Sequence, residues 1–430
     1  MAAVPFSAAV RVWFEIGVTG FGGPAGQIAL MHRLLVDERR WISEPEFLRG
    51  LNLCMLLPGP EAMQLATYVG WRLHGVPGGL AAGTLFVLPG ALLMLGLAAL
   101  YAAHRELPLL TAAFFGIKCA VLAIVLEALL RVAKRALHGA AAHATAALAF
   151  LALFAFAVPF PLVVLVAGLA GALLAWRRPD ASPAPAAVEG VATEAPVAHL
   201  ARTVLVWGGL WLVPFALIAA FDVGPVFIDI ARLMSELAMV TFGGAYAVLV
   251  GVAQQAVVHY GWLTPAAMLD GLGLAETTPG PLILVLEFVA YQAAYGMPGT
   301  LPPALAGALG ALLAVWCTFV PCFLWIFLAA PWVEALGRAR LAAGALALVT
   351  AAVVGVVLNL SLWFALHALF ATVVTVETGP LHLALPVWAS VDWTAAALAA
   401  LSAVALLRFK LGMLWVLGGA TLAGLALGLI

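Results

Sequence analysis

Several long stretches of the chain carry no Asp, Glu, Lys or Arg, among them residues 136–176, 288–333, 341–376 and 411–430, each 20 residues long or longer. A helix of roughly 20 apolar residues is long enough to cross the ~30 Å hydrocarbon core of a bilayer. Charged residues make up only 9% of the 430 residues, whereas a soluble domain carries about 25%. The sequence therefore predicts an all-α polytopic integral membrane protein rather than a soluble enzyme.

The remaining composition indicates neither a cofactor nor a metal. The four cysteines (Cys54, Cys119, Cys317, Cys322) lie in apolar stretches without CxxC spacing, and the nine histidines do not cluster. The formal net charge of −1 predicts no nucleic-acid partner. Residues 1–17 lack the basic region and cleavage site of a signal peptide, so we expect a multi-pass protein of the inner (plasma) membrane, embedded in the lipid bilayer. A homodimer is left open.

Hydropathy divides the chain into two large halves. The segment 177–202 is polar and rich in Pro and Ala, which is typical of a linker. We predict an N-terminal repeat over 1–176, the linker over 177–202, a connecting transmembrane helix within 203–228 and a C-terminal repeat over 229–430. Helices are expected near 12–31, 47–72, 79–102, 109–130, one or two within 143–176, and then 203–221, 230–252, 268–297, 302–331, 341–364, 393–407 and 411–430.

An internal repeat is the most informative pattern. Four motifs recur at a constant offset of 221 positions: Phe21-Gly22-Gly23 as Phe242-Gly243-Gly244, Trp41 as Trp262, Pro58-Gly59-Pro60 as Pro279-Gly280-Pro281, and Gly75-x-Pro77-Gly78 as Gly296-x-Pro298-Gly299. Past an insertion the match resumes at an offset of 232, with Pro89 on Pro321. The two halves are therefore predicted to be structural repeats.

Charge indicates how the repeats are oriented. The stretch 32–49 carries four arginines, whereas its equivalent, 253–270, carries no Lys or Arg. By the positive-inside rule the first is cytoplasmic and the second is not, so the repeats have inverted topology. This scheme requires 47–72 to enter and return on one side. It places the linker arginines outside if 143–176 crosses once and 203–221 also crosses, and the number of crossings stays open.

Pro-Gly-Pro lies inside an apolar stretch of each half, and two prolines with a glycine must break a helix there. Broken backbone at membrane depth is tolerated only where protein or a wet cavity satisfies it. A helix that restarts at Pro60 or Pro281 points free N–H groups and the positive end of its dipole into such a cavity. The pattern predicts an anion site built from both breaks; the alternative is a pair of structural kinks.

Further residues are candidates for binding and coupling. Gln64, Thr277 and Thr278 are uncharged donors near the breaks, and Gly22, Gly23, Gly243 and Gly244 either line the site or allow close helix packing. Carboxylates in membrane helices are costly and by default functional, so Glu15, Glu236 and Glu61 are candidates for proton coupling, with an interfacial role for Glu15 and Glu236 as the alternative. Arg72 and Lys118 are expected to pair with Glu61 or with the substrate.

Residues 21–71, with FGGPAG, WISEPEF and LLPGP, resemble the chromate ion transporter family, and so do 240–244 and 261–281 in the second half. The resemblance covers both halves, which is the long, two-domain type. It implies an inner-membrane protein that expels chromate using the proton-motive force and so confers chromate resistance. It also implicates Gly22, Gly23, Pro24, Pro58, Gly59, Pro60, Gly243, Gly244, Pro279, Gly280 and Pro281. Gln27 stands where many members have His, and Ala245 follows Gly244 where another Gly is usual.

The sequence thus predicts a secondary transporter for tetrahedral oxyanions that works by alternating access, with chromate and protons as its solutes and the potential as an alternative driving force. A sulfate carrier, or a general sulfate and chromate carrier, is the first alternative. A membrane enzyme acting on a lipid would need clustered Asp or His motifs at one interface, which the sequence lacks. A passive channel is disfavoured because inverted halves suit rocking motions.

Overall fold

The computed structural model describes residues 4–177, 197–221, 223–242, 245–333, 340–379 and 381–429. The helices are α1 Phe6–Thr19, α2 Gly23–His32, α3 Glu44–Leu56, α4 Glu61–His104, α5 Pro108–Ala136, α6 Gly139–Phe156, α7 Phe160–Arg177, α8 Val197–Thr203, α9 Gly209–Phe221, α10 Pro225–Val240, α11 Ala245–Ala253, α12 Pro265–Thr277, α13 Val285–Gly296, α14 Pro303–Ala329, α15 Arg340–Leu369, α16 Trp393–Leu407 and α17 Met413–Gly428. π-Helical turns follow α2, α8 and α11 at Arg33–Glu38, Val204–Gly208 and Gln254–His259.

The prediction of an all-α membrane protein is confirmed. Within the described ranges, seven helical segments are long and apolar enough to cross a bilayer: Glu61–His104, Pro108–Ala136, Gly139–Phe156, Phe160–Arg177, Ala198–Phe221, Pro303–Trp332 and Arg340–Leu369. Shorter apolar helices include Trp393–Leu407 and Met413–Gly428. A small antiparallel hairpin of β1 (Val373–Thr378) and β2 (Leu381–Pro386) is the sheet of the described chain, and the sequence analysis did not foresee it.

Residues 44–73 form a helical hairpin that turns at the first Pro-Gly-Pro. The Arg72 Nη2 group donates a 2.7 Å hydrogen bond to Glu46 Oε1, although 26 residues of straight helix would separate the two by about 39 Å. Closer to the turn, Gly50 packs against the ring of Tyr68. The arms therefore run antiparallel, and the prediction that 47–72 enters and returns on one side agrees with this geometry.

The ion pair closes the open end of this hairpin. Partial burial alone would raise the pKa of Glu46, but hydrogen bonds from Arg72 and Ser43 outweigh it and hold the pKa below its ordinary value. The ionised carboxylate is thus the favoured form, and it also completes a capping box with Ser43 at the start of α3.

Residues 6–38 form another helical hairpin, whereas hydropathy predicted one helix over 12–31. The break lies at Gly20–Gly22, and Gly22 has φ +88°. The arms fold back on each other because Arg39 Nη2 lies 3.3 Å from Glu15 Oε2, two residues that a straight helix would hold about 36 Å apart. Both ends of this hairpin contact the base of the 44–73 hairpin, since Val4 O accepts from His74 and His32 contacts Glu44.

Residues 143–176 hold two helices rather than one. α6 ends at Phe156, where Ala157 takes a left-handed conformation with φ +48°, and α7 begins at Phe160. Each helix has 18 residues, about 27 Å. This settles the open choice between one helix and two in that stretch.

The internal repeat is visible in the boundaries of the elements. α3 and α12 begin at positions 44 and 265 and end at positions 56 and 277, each pair 221 apart. The π-helical turns Arg33–Glu38 and Gln254–His259 show the same offset. The kink of α4 at Gly75 matches the end of α13 at Gly296. The two halves of the chain therefore build the same succession of local structures.

The chain forms two compact units, each with segments from both repeats. Unit 1 comprises Met1–Ala99, Gly171–Val248 and Thr278–Leu346. Within it, α13 and α10 pack against α14. Unit 2 comprises Leu100–Ala170, Leu249–Thr277 and Ala347–Ile430, and there α5 packs against α12, α16 and α17. Both predicted break motifs lie in unit 1.

Candidate functional site

The backbone is broken at both Pro-Gly-Pro motifs, as predicted. α3 ends at Leu56 and α4 begins at Glu61, while α12 ends at Thr277 and helical structure resumes at Leu282. Gly59 has φ +126° and Gly280 has φ +97°, values that favour glycine, and both residues are buried. Because the flanking prolines lack an N–H group, the hydrogen bonds of a continuous helix cannot form across either break.

Each break is bound by the other repeat. The Gly59 amide donates to the carbonyl of Thr241 at 2.8 Å, and the Gly280 amide donates to the carbonyl of Gly20 at 3.0 Å. Both donors and both acceptors are 221 positions apart, so the two hydrogen bonds are equivalent under the repeat. A carbonyl that ends the first helix of one repeat thus satisfies the amide at the break of the other.

The first hydrogen bond of each helix after a break shows which backbone N–H groups have no partner within the helix. The first intrahelical bond of α4 runs from the Gln64 amide to the Pro60 carbonyl, and the corresponding bond of the second half runs from Leu284 to Pro281. The N–H groups of Ala62, Met63 and Ile283 come before those bonds and have no partner within their helices. The glycine amides are engaged, so the predicted anion site would have to use these first-turn amides instead.

Gln27 links the two repeats directly. Its Nε2 donates to the Gly280 carbonyl at 2.5 Å and to the Gly20 carbonyl at 3.1 Å, and the side chain is fully buried. Gln64, also fully buried, donates from Nε2 to the Pro58 carbonyl at 2.7 Å. The Oε1 atoms of both glutamines are buried acceptors without a hydrogen-bond partner in the described structure. Each is left to accept from water or from a solute that carries an O–H group.

We expect Gln27→Leu to impair transport and to lower stability. The leucine keeps the approximate volume but leaves the buried Gly280 carbonyl without the side-chain donor, at a cost of about 1–3 kcal/mol. Thermal unfolding in detergent and flux in proteoliposomes measure the two effects. Gln255→Leu is the control, because that half-buried side chain makes none of the contacts described for the breaks. Wild-type stability and flux in Gln27→Leu would show that the bridge is dispensable.

A second pair of contacts packs each break against a long helix of the other repeat. A Cβ built on Gly90 of α4 would lie 2.2 Å from the Pro279 carbonyl oxygen, and a Cβ on Gly59 would lie 2.8 Å from Cys322 Sγ of α14. Positions 90 and 322 are 232 apart, the offset of the Pro89–Pro321 match. Neither residue was predicted as part of the site, although that offset already aligned Gly90 with Cys322.

The other predicted binding residues are placed as follows. Gly23 has φ +67° and opens α2 beside Gly22. Thr277 donates to the Leu274 carbonyl at 2.8 Å, and Thr278 is buried at the second break. Gly243 and Gly244 lie outside the described residues, as does most of the predicted linker 177–202.

The predicted acidic and basic residues fall into different surroundings. Glu15 is exposed and pairs with Arg39, Glu236 is exposed on α10, and Glu61 is half-buried at the first turn of α4. Arg72 pairs with Glu46, and Lys118 pairs with Asp270 in unit 2. The two basic residues therefore have carboxylate partners other than the expected Glu61.

A further acid lies buried close to the second break. Glu287 lies in the first turn of α13, six residues after Pro281, and only 2% of its surface is exposed. Its Oε2 atom has no hydrogen-bond partner in the described structure. The equivalent position of the first repeat is Ala66, so repeat symmetry gave no signal, although an apolar stretch around a lone acid did.

The family model described as chromate transporter matches residues 8–172 and 228–425, which include both breaks and most of each compact unit. The chain belongs to the chromate transporter family. This membership confirms the resemblance seen in the sequence, and together with the seven long apolar helices it makes the protein a multi-pass membrane protein, consistent with the plasma membrane.

Relatives within the chromate transporter family are similar over most of their length. The chain is 34% identical to a chromate transport protein of Pseudomonas aeruginosa, over 72% of this chain and 69% of that protein. It is 28% identical to a chromate transport protein of Cupriavidus metallidurans, over 81% of this chain and 80% of that protein. An uncharacterized transporter of Methanocaldococcus jannaschii is 25% identical over 82% of this chain and 83% of that protein. No solved structure matches the chain.

Proposed function

We propose that the protein is a secondary transporter that carries chromate out of the cytoplasm, and that the anion binds at the helix starts after the two breaks. The observation that carries this proposal is the reciprocal pair of hydrogen bonds from Gly59 to Thr241 and from Gly280 to Gly20. It ties the two breaks together at Gly59 and Gly280, which the sequence resemblance to the family implicates. The names of the relatives from Pseudomonas aeruginosa and Cupriavidus metallidurans support chromate as the solute.

The first-turn amides suit an oxyanion for a physical reason. A helix start presents N–H groups and a partial positive charge without any basic side chain. A tetrahedral dianion can receive several N–H groups at once and can still leave, because no full positive charge holds it. With the cytoplasm negative, moving a dianion outward gains about 4.6 kcal/mol per 100 mV. The direction of transport is therefore proposed to be export, which would confer chromate resistance.

Flux into proteoliposomes tests the function. The purified protein is reconstituted, and uptake of radiolabelled chromate is followed under an imposed membrane potential and, separately, under an imposed pH gradient. We expect uptake well above that of protein-free vesicles under at least one gradient. Absence of such uptake under both would contradict the proposal. Excess unlabelled sulfate tests the alternative of a general oxyanion carrier, because sulfate has the same shape and charge and would compete.

We also propose that the two repeats are inverted in the membrane. The 6–38 and 44–73 hairpins each return to the side from which they enter, and 143–176 supplies two helices. If the second repeat enters and returns likewise, the five long segments between the two stretches place 253–270 opposite to 32–49. The same number of membrane crossings puts Arg177 and Arg202 on the cytoplasmic side with Arg131, in agreement with the positive-inside rule. The earlier conflict over the linker arginines then disappears.

Cysteine labelling tests the inversion. In a cysteine-free background, single cysteines replace Glu38, its repeat equivalent His259, and Arg177, three exposed positions. A membrane-impermeant maleimide should label Glu38→Cys and Arg177→Cys only from the cytoplasmic side, and His259→Cys only from the outside. Labelling of Glu38→Cys and His259→Cys from the same side would refute the inverted topology and leave the chromate flux assay untouched.

A further inference from the structure

Unit 2 contains a buried cluster of three titratable side chains that the anion site does not use. The Tyr101 hydroxyl donates to Asp270 Oδ2 at 2.9 Å, and Lys118 Nζ lies 3.4 Å from Asp270 Oδ1. Asp270 is 4% exposed and Tyr101 is 7% exposed, while the Lys118 side chain is 23% exposed. The three residues come from α4, α5 and α12, so the cluster joins three helices.

The cluster lies deep in an apolar region. Lys118 is the only charged residue between positions 107 and 126, and it follows the start of α5 at Pro108 by ten residues, about 15 Å. That distance is half the thickness of a ~30 Å hydrocarbon core. Asp270 is likewise the only charged residue from 261 to 275. Ionisable residues at such depth are expensive, and they mark proton relays and ion pathways.

The cluster is connected to the second break through α12. Asp270 lies seven residues, or about 10 Å, before the end of that helix at Thr277, where the break begins. α12 also packs tightly on α5, because a Cβ on Gly273 would lie 2.2 Å from Ile117 Cγ2. A change in the attraction between Lys118 and Asp270 therefore acts on the helix that leads into the break.

We propose that Asp270 is the proton-coupling residue of the transporter, with Lys118 and Tyr101 as its positioning partners. This rests on the proposed function. The ionised carboxylate holds Lys118 and accepts the Tyr101 hydroxyl. One proton bound to Asp270 from the outer side gives the neutral acid, and the attraction to Lys118 is lost. Release of that proton to the cytoplasm restores the pair, so one proton enters per cycle in which chromate leaves.

The surroundings of Asp270 favour it over the acids predicted from the repeat. In the described part of the chain, the titratable groups in contact with Asp270 are Lys118 of α5 and Tyr101 of α4. Two charged groups lie further out: Arg105 interacts electrostatically with Tyr101, and Asp392 interacts electrostatically with Cys119, the neighbour of Lys118. Glu15 and Glu236 instead have exposed side chains. A proton on either of those would change no buried contact that the structure shows.

Transport by Asp270→Asn tests the proposal in proteoliposomes. Two modes are compared: chromate exchange at equal pH on both sides, which needs no net proton movement, and chromate flux driven by a pH gradient. We expect the gradient-driven flux to fall at least tenfold and the exchange to fall less than threefold. Glu127→Gln is the matched control, because Glu127 is on the same α5 and, among the described residues, its ion pair is with Arg131 along the helix; it should alter neither mode.

Several results would overturn the proposal. An equal loss of chromate exchange and of gradient-driven flux in Asp270→Asn would show that the cluster has a structural role. Wild-type rates in both assays would show that Asp270 takes no part in proton coupling. If Asp270→Asn does not insert into the membrane, Asp270→Glu and Tyr101→Phe decide: both should retain coupling with a shifted pH midpoint of flux, and an unshifted midpoint counts against the proposal. Wild-type flux that responds to potential but not to pH would refute coupling alone, whereas absence of all chromate flux would refute the proposed function.

Discussion

Replacing Gly59 or Gly280 by alanine should reduce chromate transport at least tenfold while the protein still inserts into the membrane. Both residues have φ in the left-handed region, at +126° and +97°, where a side chain costs of order 1–3 kcal/mol. At Gly59 the new Cβ would also lie 2.7 Å from Gln64 Nε2 and 2.8 Å from Cys322 Sγ. The break must shift to relieve these contacts, and the hydrogen bond to the other repeat shifts with it.

The two substitutions should differ in severity. A Cβ on Gly280 meets its nearest neighbours, Leu284 Cδ1 and Gly90 Cα, at 3.3 and 3.4 Å, so we expect Gly280→Ala to retain more transport than Gly59→Ala. Initial flux in proteoliposomes, normalised to reconstituted protein, measures both. Gly96→Ala is the control, because a Cβ there has open space and α4 is helical at that position. Wild-type flux in Gly59→Ala would show that the break geometry is not required.

Gly90→Ala should also abolish most transport, although Gly90 is distant in sequence from both breaks. Its Cβ would lie 2.2 Å from the Pro279 carbonyl oxygen, and this obstacle is backbone rather than the movable end of a side chain. Either α4 or the second break has to move away, which disturbs the hydrogen bond from Gly280 to Gly20. We expect at least a tenfold loss of flux.

The same assay separates this effect from a general weakening of α4. Gly96→Ala adds the same methyl group to the same helix six residues later, and it should keep wild-type flux. Thermal unfolding in detergent shows whether Gly90→Ala still folds. Full transport by a folded Gly90→Ala variant would mean that the close approach of α4 to Pro279 has no role in the transport cycle.

The helix breaks could be predicted from the sequence because their cause is local. Two prolines around a glycine interrupt the hydrogen bonds of a helix wherever they occur. Because the motif recurs at a fixed offset in both repeats, a functional role is more plausible than a chance kink. The fold-back of 47–72 also followed, because that path puts Arg131 on the same side as the arginines of 32–49. The Arg72–Glu46 pair gives the same result from geometry.

Other features depended on the direction of the chain or on distant partners. The stretch 12–31 was predicted as one helix because hydropathy reports only how apolar a segment is. It gives no information about the reversal of the chain direction at Gly20–Gly22. The Lys118–Asp270 pair joins residues 152 positions apart in sequence, so the sequence could name only Glu61 or the substrate as a partner of Lys118. The Gln27 bridge to Gly280 also spans both repeats. A single glutamine whose repeat equivalent is Val248 carried no symmetric signal.

The exchange of backbone hydrogen bonds between repeats has a consequence for how such proteins arise. A polypeptide with one repeat alone would keep an unsatisfied amide at its glycine and an unsatisfied carbonyl at the end of its first helix. Two such half-length chains, related by a twofold axis, would satisfy each other's groups. Duplication and fusion of an ancestral half-length gene would then preserve an obligate dimer within one polypeptide, free its two copies to diverge, and fix their one-to-one ratio.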